Sequence, residues 1–254
     1  MNTGICTYSH RRHRFRSLIR RRNDNLEQQA QALFKAWFVD FEPFKDGKFV
    51  ESEMGMIPEG WRLVELRDIV SISKKTITPL KHPDTLFHHY SLPAFDNGMV
   101  PEIQKGSEIL SNKFLLETNI TLFSKLNPRI KRIWFTSKVP SNSVCSTEFL
   151  PYKSVCESQY AFIYALLNSD EFYASVMSYV NGATGSHQRF HAEDTLNYVL
   201  PYNETAVEEF VKRMNPILEE QCSLRNEIIH LVALRDTLLP KLMSGELTIS
   251  SSNK

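Results

Sequence analysis

The first hydrophobic pattern in the chain lies at residues 24–41, where apolar side chains recur at helical spacing. One stripe contains Leu26, Ala30, Leu33 and Trp37, and the adjacent stripe contains Phe34, Phe38 and Phe41. Asp24 followed by Glu27 predicts the start of a helix, and Pro43 predicts its end. So wide an apolar face on a short helix has to pack against more than one neighbour.

Residues 44–203 have a different texture, in which Pro, Gly, Asn and Ser separate short runs rich in Val, Ile, Phe and Tyr. The runs at 66–73, 119–126 and 132–139 predict strands. Residues 157–180 predict a helix whose buried face contains Phe162, Leu166, Phe172, Val176 and Tyr179. The stretch therefore predicts one α+β domain that is large enough to bury its own core.

The third pattern is a heptad repeat in residues 205–242, after a Thr205-x-x-Glu208 capping box. Its apolar steps of three and four predict a coiled-coil seam that Gln221 and Arg235 interrupt. The seam positions are Val207, Phe210, Met214, Ile217, Gln221, Leu224, Ile228, Leu231, Arg235, Leu238 and Leu242. A long core helix is the alternative. Pro216 lies within the run, and Pro240 is expected to kink or end it. The predicted helix is a rod of roughly 50 Å, and a helix of this length needs a second helix beside it.

Charge is distributed unevenly along the 254 residues, although the net charge is only +1. Residues 11–22 contain seven arginines and no acid, so the rest of the chain is net acidic. We expect residues 1–23 to be a disordered tail; the alternatives are a solvated or misassigned start and a non-specific phosphate-binding arm. Residues 243–254 are expected to be a second tail.

Composition excludes several classes of protein. A content of 42% hydrophobic and 23% charged residues is typical of globular proteins and excludes disorder over most of the chain. None of the four cysteines lies in a CxxC motif, which disfavours a zinc finger. No apolar run approaches the roughly 20 residues of a membrane helix, so we expect a soluble, cytoplasmic protein without a membrane partner.

Particular stretches resemble a known family. QALFKAWFVDFEPFKDG at 31–47 and ESEMGMIPEGWRLVELRDI at 51–69 resemble the central region of type I restriction–modification specificity subunits (HsdS) and the start of their second target-recognition domain. LVALRDTLLPKLMSGELTI at 231–249 resembles their C-terminal conserved region. The stretches 111–135 and 181–203 resemble recurring parts of their recognition domains.

The resemblance implies a fold and a domain arrangement. It implies one target-recognition domain at 44–203, flanked by a conserved helix at 24–43 and a long, coiled-coil-like helix at 204–242. A complete specificity subunit has two such domains, so the chain resembles the C-terminal half of one. Because residues 1–23 do not resemble the upstream helix of the family, the first helix is expected to be truncated.

The resemblance also implies a DNA-reading scaffold that binds half of a bipartite target, and local chemistry agrees with this. Residues 105–138 contain a surplus of Lys and Arg in an otherwise acidic protein. Within them, SKLNPRIKR at 124–132 surrounds a proline turn with side chains that can contact base edges or phosphates. The candidate DNA contacts in this part of the chain are Asn112, Lys113, Ser124, Lys125, Asn127, Arg129, Lys131 and Arg132.

A second candidate contact is the small-residue loop GATGSHQR at 182–189. Gly182 and Gly185 permit close backbone approach, so exposed amides and hydroxyls could bind a phosphate. The candidate contacts are Thr184, Ser186, His187, Gln188 and Arg189.

No catalytic constellation is visible: the chain has no Gly-rich nucleotide loop, no Asn-Pro-Pro-aromatic motif and no convincing nuclease pattern. We therefore expect a non-catalytic subunit without a metal or a cofactor, with S-adenosylmethionine bound by the modification subunit. The resemblance implies helices that pair with a second copy or another specificity chain and dock modification subunits, which a restriction (motor–nuclease) subunit can join. The expected helix interface contains Leu26, Leu33, Trp37, Phe210, Met214, Ile217, Gln221, Leu224, Ile228, Leu231 and Leu238. The alternative is a truncated remnant or decoy that binds modification subunits but does not read DNA.

Overall fold

The computed structural model of the chain describes residues 4–180 and 188–247, and of the side chains before Arg21 it describes only that of Ile19. Residues 27–218 form one compact unit, which we call the globular unit. The N-terminal residues up to Leu26 and the residues from Glu219 onward form the other, the helical unit. Within the described part of the chain, no helix is long and apolar enough to cross a bilayer.

The residues that the structure describes include two long α-helices and five short ones. The long helices are α1 (Gly4–Phe38) and α7 (Glu204–Met243). The short helices are α2 (Leu66–Ile69), α3 (Leu92–Asp96), α4 (Tyr160–Leu167), α5 (Asp170–Ser178) and α6 (Ala192–Leu196).

The strands in the described part of the globular unit form two larger sheets and two two-stranded sheets. A four-stranded sheet has the order β10 (Ile133–Thr136), β9 (Ile120–Ser124), β12 (Phe149–Ser154) and β4 (Val70–Ile72). A five-stranded sheet has the order β5 (Thr76–Ile77), β8 (Lys113–Leu115), β11 (Ser143–Cys145), β6 (Leu86–Tyr90) and β7 (Glu102–Lys105). The pairs are β1 (Phe49–Ser52) with β2 (Gly55–Pro58), and β3 (Arg62–Glu65) with β13 (Val199–Tyr202).

One hydrophobic core lies between the two larger sheets. Side chains of both sheets and of α3 meet there and exclude water, which supplies most of the stabilisation of such a domain. The cluster consists of Tyr90, Ala94, Leu116, Ile120, Leu122, Trp134, Cys145 and Phe149. Burial raises the pKa of the Cys145 thiol to about 12, so this cysteine behaves as a core residue.

A second core is aromatic and joins α1 to α4 and α7 within the globular unit. Phe210 of α7 is fully buried, and its ring centroid lies 5.1 Å from that of Phe38 and 6.1 Å from that of Phe34. Phe162 of α4 lies 4.8 Å from Phe38 by the same measure. The wide apolar face that the sequence predicts for α1 is therefore covered by two neighbours, and the last turns of α1 are docked.

The expected boundaries of the first helix are wrong. A single helix runs from Gly4 to Phe38, so most of the expected disordered tail is helical, and the predicted start at Asp24 lies inside it. Arginine is a good helix former. Ile19, which is 6% exposed, lies two helical turns before Leu26 and continues the same apolar stripe. The helix also ends before Phe41, whose φ of 51° is left-handed.

Three other local predictions need correction. Asn203, rather than Thr205, caps α7, because its Oδ1 accepts a hydrogen bond from the amide of Ala206 at 3.0 Å. The helix predicted at 157–180 is two helices: α4 ends at Leu167, and Ser169 caps α5 by accepting a hydrogen bond from the amide of Phe172. The predicted strand at 66–73 begins with α2 and becomes extended only from Val70.

The long C-terminal helix is confirmed, and its heptad pattern fits a coiled coil. Its predicted seam is buried in the first half and more exposed in the second. Phe210, Met214, Gln221 and Leu224 are buried, Ile217, Ile228 and Leu238 are half-buried, and Leu231 is 37% exposed. On α1, the predicted interface residues Leu26, Leu33 and Trp37 are half-buried.

Candidate nucleic-acid interface

The proline turn lies in the connection between β9 and β10, residues 125–132, which we call the β9–β10 loop. The strands pair antiparallel, and the amide of Ser124 donates to the carbonyl of Arg132 at 3.0 Å, which closes the loop at its base. Asn127 adopts a left-handed φ of 48°, a conformation that asparagine tolerates better than most residues. The amide of Ile130 then donates to the carbonyl of Asn127 at 2.9 Å, so the tip of the loop is a hydrogen-bonded turn.

The described end of the second predicted contact segment lies against this loop. Leu126 and Arg189 form an antiparallel bridge, and the amide of Asn127 donates to the carbonyl of Gln188 at 3.0 Å. The Arg189 guanidinium pairs with Glu148 at 2.9 Å. The structure therefore brings together two stretches that the sequence proposes separately. The candidate contacts Thr184, Ser186 and His187 lie outside the described residues.

Several candidate cations are already engaged inside the protein. Arg132 binds Asp96 through two hydrogen bonds of 2.8 and 2.9 Å, with only 10% of its side chain exposed. Lys131 donates from Nζ to the carbonyl of Asn168 at 2.5 Å. Burial lowers the pKa of Lys131, whereas nearby Asp170 and Glu27 raise it. These cations add less unbalanced charge to the surface than the sequence count indicates.

Two other residues of the loop, and Ser124 at the end of β9, have different environments. Arg129 is exposed at the tip, beside Ile130, whose exposed fraction is 52%. Lys125 is half-buried, and its amide donates to the carbonyl of Glu148 at 2.9 Å. The buried hydroxyl of Ser124 donates to the carbonyl of Leu126 at 3.1 Å, which shapes the loop from within.

The candidate Lys113 belongs to the five-stranded sheet, not to the sheet that carries the loop, and Asn112 immediately precedes Lys113. Lys113 lies on β8 with 7% exposure, and its Nζ donates to the Ser111 hydroxyl at 2.6 Å. Burial lowers the pKa of this lysine. Asn112 is exposed and hydrogen-bonds Thr78 at 2.9 Å.

Local sequence reasoning missed the residues that support the loop from behind. Asp96 and Glu148 neutralise Arg132 and Arg189, and Tyr173 of α5 donates a hydrogen bond to the carbonyl of Pro128. These partners lie dozens of residues from the loop or from Arg189 in the chain, so no local spacing reveals them. Among the described residues, no group of three His, Cys, Asp or Glu side chains could hold a metal ion.

Comparisons with known proteins agree with this architecture. No protein-family model matches the chain. Among curated proteins, it is 27% identical over 244 residues to the type I restriction enzyme MjaIX specificity subunit of Methanocaldococcus jannaschii, covering 91% of this chain and 55% of that protein. It is 24% identical over 287 residues to the type I restriction enzyme HindI specificity subunit of Haemophilus influenzae, covering 89% and 62% respectively. The chain thus spans about half the length of the curated relatives it matches.

Solved structures show the same fold at low sequence identity. The HsdS subunit of Thermoanaerobacter tengcongensis matches 81% of this chain and 54% of its own, with a TM-score of 0.55 and 19% identity. The S subunit of a type I system from M. genitalium matches 93% and 58%, with a TM-score of 0.55 and 14% identity.

The fold that these findings define is an α+β domain with a long C-terminal helix, as predicted. The resemblance to specificity subunits of type I restriction–modification systems is confirmed: the chain is similar to these proteins in sequence and in fold.

Proposed function

We propose that the chain is a DNA sequence-recognition subunit of a type I restriction–modification complex, and that it reads one half of a bipartite target. The observation that carries the proposal is the similarity to a type I specificity subunit along 91% of the chain. The β9–β10 loop supports it, because residues 188–189, the described end of the second segment that the sequence predicts to contact DNA, lie against this loop.

In this proposal, Arg129 at the loop tip reads a base edge, and Lys125 contacts a phosphate. Arg129 is exposed, and an exposed arginine can bind guanine through two hydrogen bonds. A lysine near the phosphate backbone of DNA supplies salt-dependent affinity. The remaining candidate contacts stay predictions. They are Asn112, Lys113, Ser124, Asn127, Arg132, Thr184, Ser186, His187, Gln188 and Arg189.

The proposed role is non-catalytic and cytoplasmic. The chain holds no cofactor in this proposal, and S-adenosylmethionine binds to the adenine-methylating modification subunit. The helices α1 and α7 dock the modification subunits and pair with a second copy or another specificity chain, and a restriction subunit can then join. One neighbouring solved chain comes from work on the assembly of a type I system, with a TM-score of 0.50 and 18% identity over 78% of this chain and 52% of its own.

A non-reading decoy that binds modification subunits is the competing function. The ion pairs of Arg132 with Asp96 and of Arg189 with Glu148 favour it, because they reduce the positive charge available to DNA.

The deciding experiment is co-expression with a modification subunit from the same host, followed by single-molecule sequencing of adenine methylation. We expect a bipartite methylated motif. Matching halves indicate a symmetric pair of this chain, and unlike halves indicate pairing with another specificity chain. A purified complex that methylates no motif refutes DNA reading and supports the decoy.

Arg129→Ala tests the loop itself. We expect DNA binding to weaken by about 1–3 kcal/mol while the fold is kept, since the side chain is exposed. Binding to a duplex with the motif is measured against salt concentration, with Arg67→Ala on α2 as an exposed control outside the loop. An unchanged affinity together with an unchanged salt slope removes Arg129 from the interface.

A further inference from the structure

The β9–β10 loop is fixed from behind by two side-chain hydrogen bonds, one at each side of its tip. Tyr173 of α5 donates from its hydroxyl to the carbonyl of Pro128. Lys131 donates from Nζ to the carbonyl of Asn168 at 2.5 Å, and the same nitrogen lies 5.4 Å from the centroid of the Tyr173 ring. Lys131 and Tyr173 therefore form one contact set, in which a cation–π interaction with the face of the ring also stabilises the ammonium group.

Asn168 continues this contact set to the first helix. Its side-chain amide donates to Oε1 of Glu27, and the Tyr164 hydroxyl donates to Oε2 of the same carboxylate at 2.5 Å. Glu27 lies on α1, Tyr164 lies on α4, and Asn168 follows the last turn of α4. A continuous series of hydrogen bonds thus joins α1 to the tip of the loop.

The electrostatic environment of Lys131 fits a role inside the protein. Burial lowers its pKa, and the carboxylates of Asp170 and Glu27 oppose this effect. Asp170 lies 3.8 Å away but is fully exposed, so water screens much of this ion pair. The closest partner of the ammonium group is the Asn168 carbonyl, which a phosphate would have to displace or share.

We propose that Lys131 and Tyr173 are positioning residues rather than DNA contacts, and that Glu27 of α1 anchors the Asn168 contact that they use. The inference rests on the proposed function and deepens it: the helix that flanks the domain sets the position of the side chains that read DNA. Arg129 can read a base only if the backbone on both sides of it is held in place.

The salt dependence of DNA binding separates a positioning lysine from a phosphate contact. The probes are a duplex that carries the methylated motif and a duplex with the motif scrambled. Lys131→Met is compared with Lys125→Met. Losing a phosphate contact reduces the slope of log affinity against log salt by about 0.9. We expect this change for Lys125→Met, whereas Lys131→Met keeps the slope and loses affinity only for the motif. Lys131→Arg, which keeps a donor, restores part of that affinity.

Amide hydrogen exchange tests the contact set without DNA. Tyr173→Phe removes one hydroxyl from a partly exposed ring, and Tyr179→Phe at the end of α5 is the matched control. We expect the amides of Asn127 and Ile130 to exchange roughly three to ten times faster in Tyr173→Phe, as the loss of one hydrogen bond predicts. Glu27→Gln is expected to act in the same direction, and the control is expected to leave the rates unchanged.

The outcomes distinguish the inference from the function on which it rests. A parent protein that fails to bind the motif duplex refutes the proposed function, while the exchange rates still decide whether the side chains hold the loop. A reduced salt slope in Lys131→Met makes Lys131 a phosphate contact and overturns its positioning role. Unchanged exchange in both Tyr173→Phe and Glu27→Gln overturns the anchoring by α5 and α1.

Discussion

Phe210 is the side chain on which the aromatic core between α1, α4 and α7 depends, and Phe210→Ala is the most informative change to this core. The ring is fully buried, and its centroid lies between 5.1 and 6.1 Å from those of Phe34, Trp37, Phe38 and Phe162. Three of these contacts are made to α1. Removing the ring therefore weakens the docking of the first helix as well as the core itself.

The expected cost follows from the lost transfer free energy and the cavity that remains. Burial of a phenylalanine side chain contributes about 2–3 kcal/mol, and its truncation in a core costs about 3–5 kcal/mol in total. The ring makes four aromatic contacts and is enclosed by three helices. We therefore expect Phe210→Ala to lower the free energy of unfolding by about 4 kcal/mol. This is a large part of the roughly 5–15 kcal/mol by which such domains are stable.

Urea unfolding measures the loss, with tryptophan fluorescence as the signal. Trp37 and Trp61 lie in the aromatic core and report on it directly. With a slope of about 2 kcal/mol per molar, the midpoint is expected to fall by about 2 M. Phe44→Ala is the control, because Phe44 is half-buried at the edge of the same core and should cost about 1–2 kcal/mol. Equal losses in the two variants would refute the reasoning.

Two further predictions concern stability. Lys153 and Lys75 hydrogen-bond Glu117 and hold its pKa at about 2, below the ordinary value of 4.5. Because the folded pKa is depressed, Glu117→Gln should lose about 1 kcal/mol at neutral pH, and this difference should disappear as the pH falls from about 4.5 to 2. Urea unfolding at several pH values checks this, and a difference that grows on acidification contradicts it. Gly106→Ala should cost about 1–3 kcal/mol, because a Cβ would lie 2.1 Å from the His82 carbonyl oxygen. Thermal unfolding measures this loss of stability, with the exposed Ser107→Ala as the control. Equal melting temperatures in the two variants would contradict the prediction.

Elements with a strong local pattern were predictable from the sequence. The heptad repeat indicated α7 almost to its ends, and the Val, Ile and Phe-rich runs indicated β9 and β10. The first half of α1 was not predictable in this way, because its arginines suggested a solvated tail although they favour a helix. The break at Ser169 was also missed, since apolar residues continue on both sides of it and only the serine cap marks a new helix.

The sequence was sufficient to predict which segments form the candidate site, but not the charge of the surface that they form together. Residues 124–132 and 188–189 meet, as the separate loop patterns allow. The charge of the surface depends on tertiary partners, because Asp96 and Glu148 reach the loop region from α3 and from the turn before β12. The number of cationic side chains can be counted from the sequence, whereas the acidic side chains that pair with them are known only from the fold.

The pairing of β3 with β13 has a consequence for how the domain is connected to the rest of the chain. Leu63 faces Pro201 across an antiparallel pair, and the amide of Leu66 donates to the carbonyl of Tyr198 at 2.8 Å. The chain therefore enters and leaves residues 66–198 at points only about one strand spacing, roughly 5 Å, apart. Insertions with adjacent ends can be replaced by others of different length and sequence without moving the elements that carry them. The architecture thus makes residues 66–198 exchangeable, while the β3–β13 pair that holds their two ends stays in place.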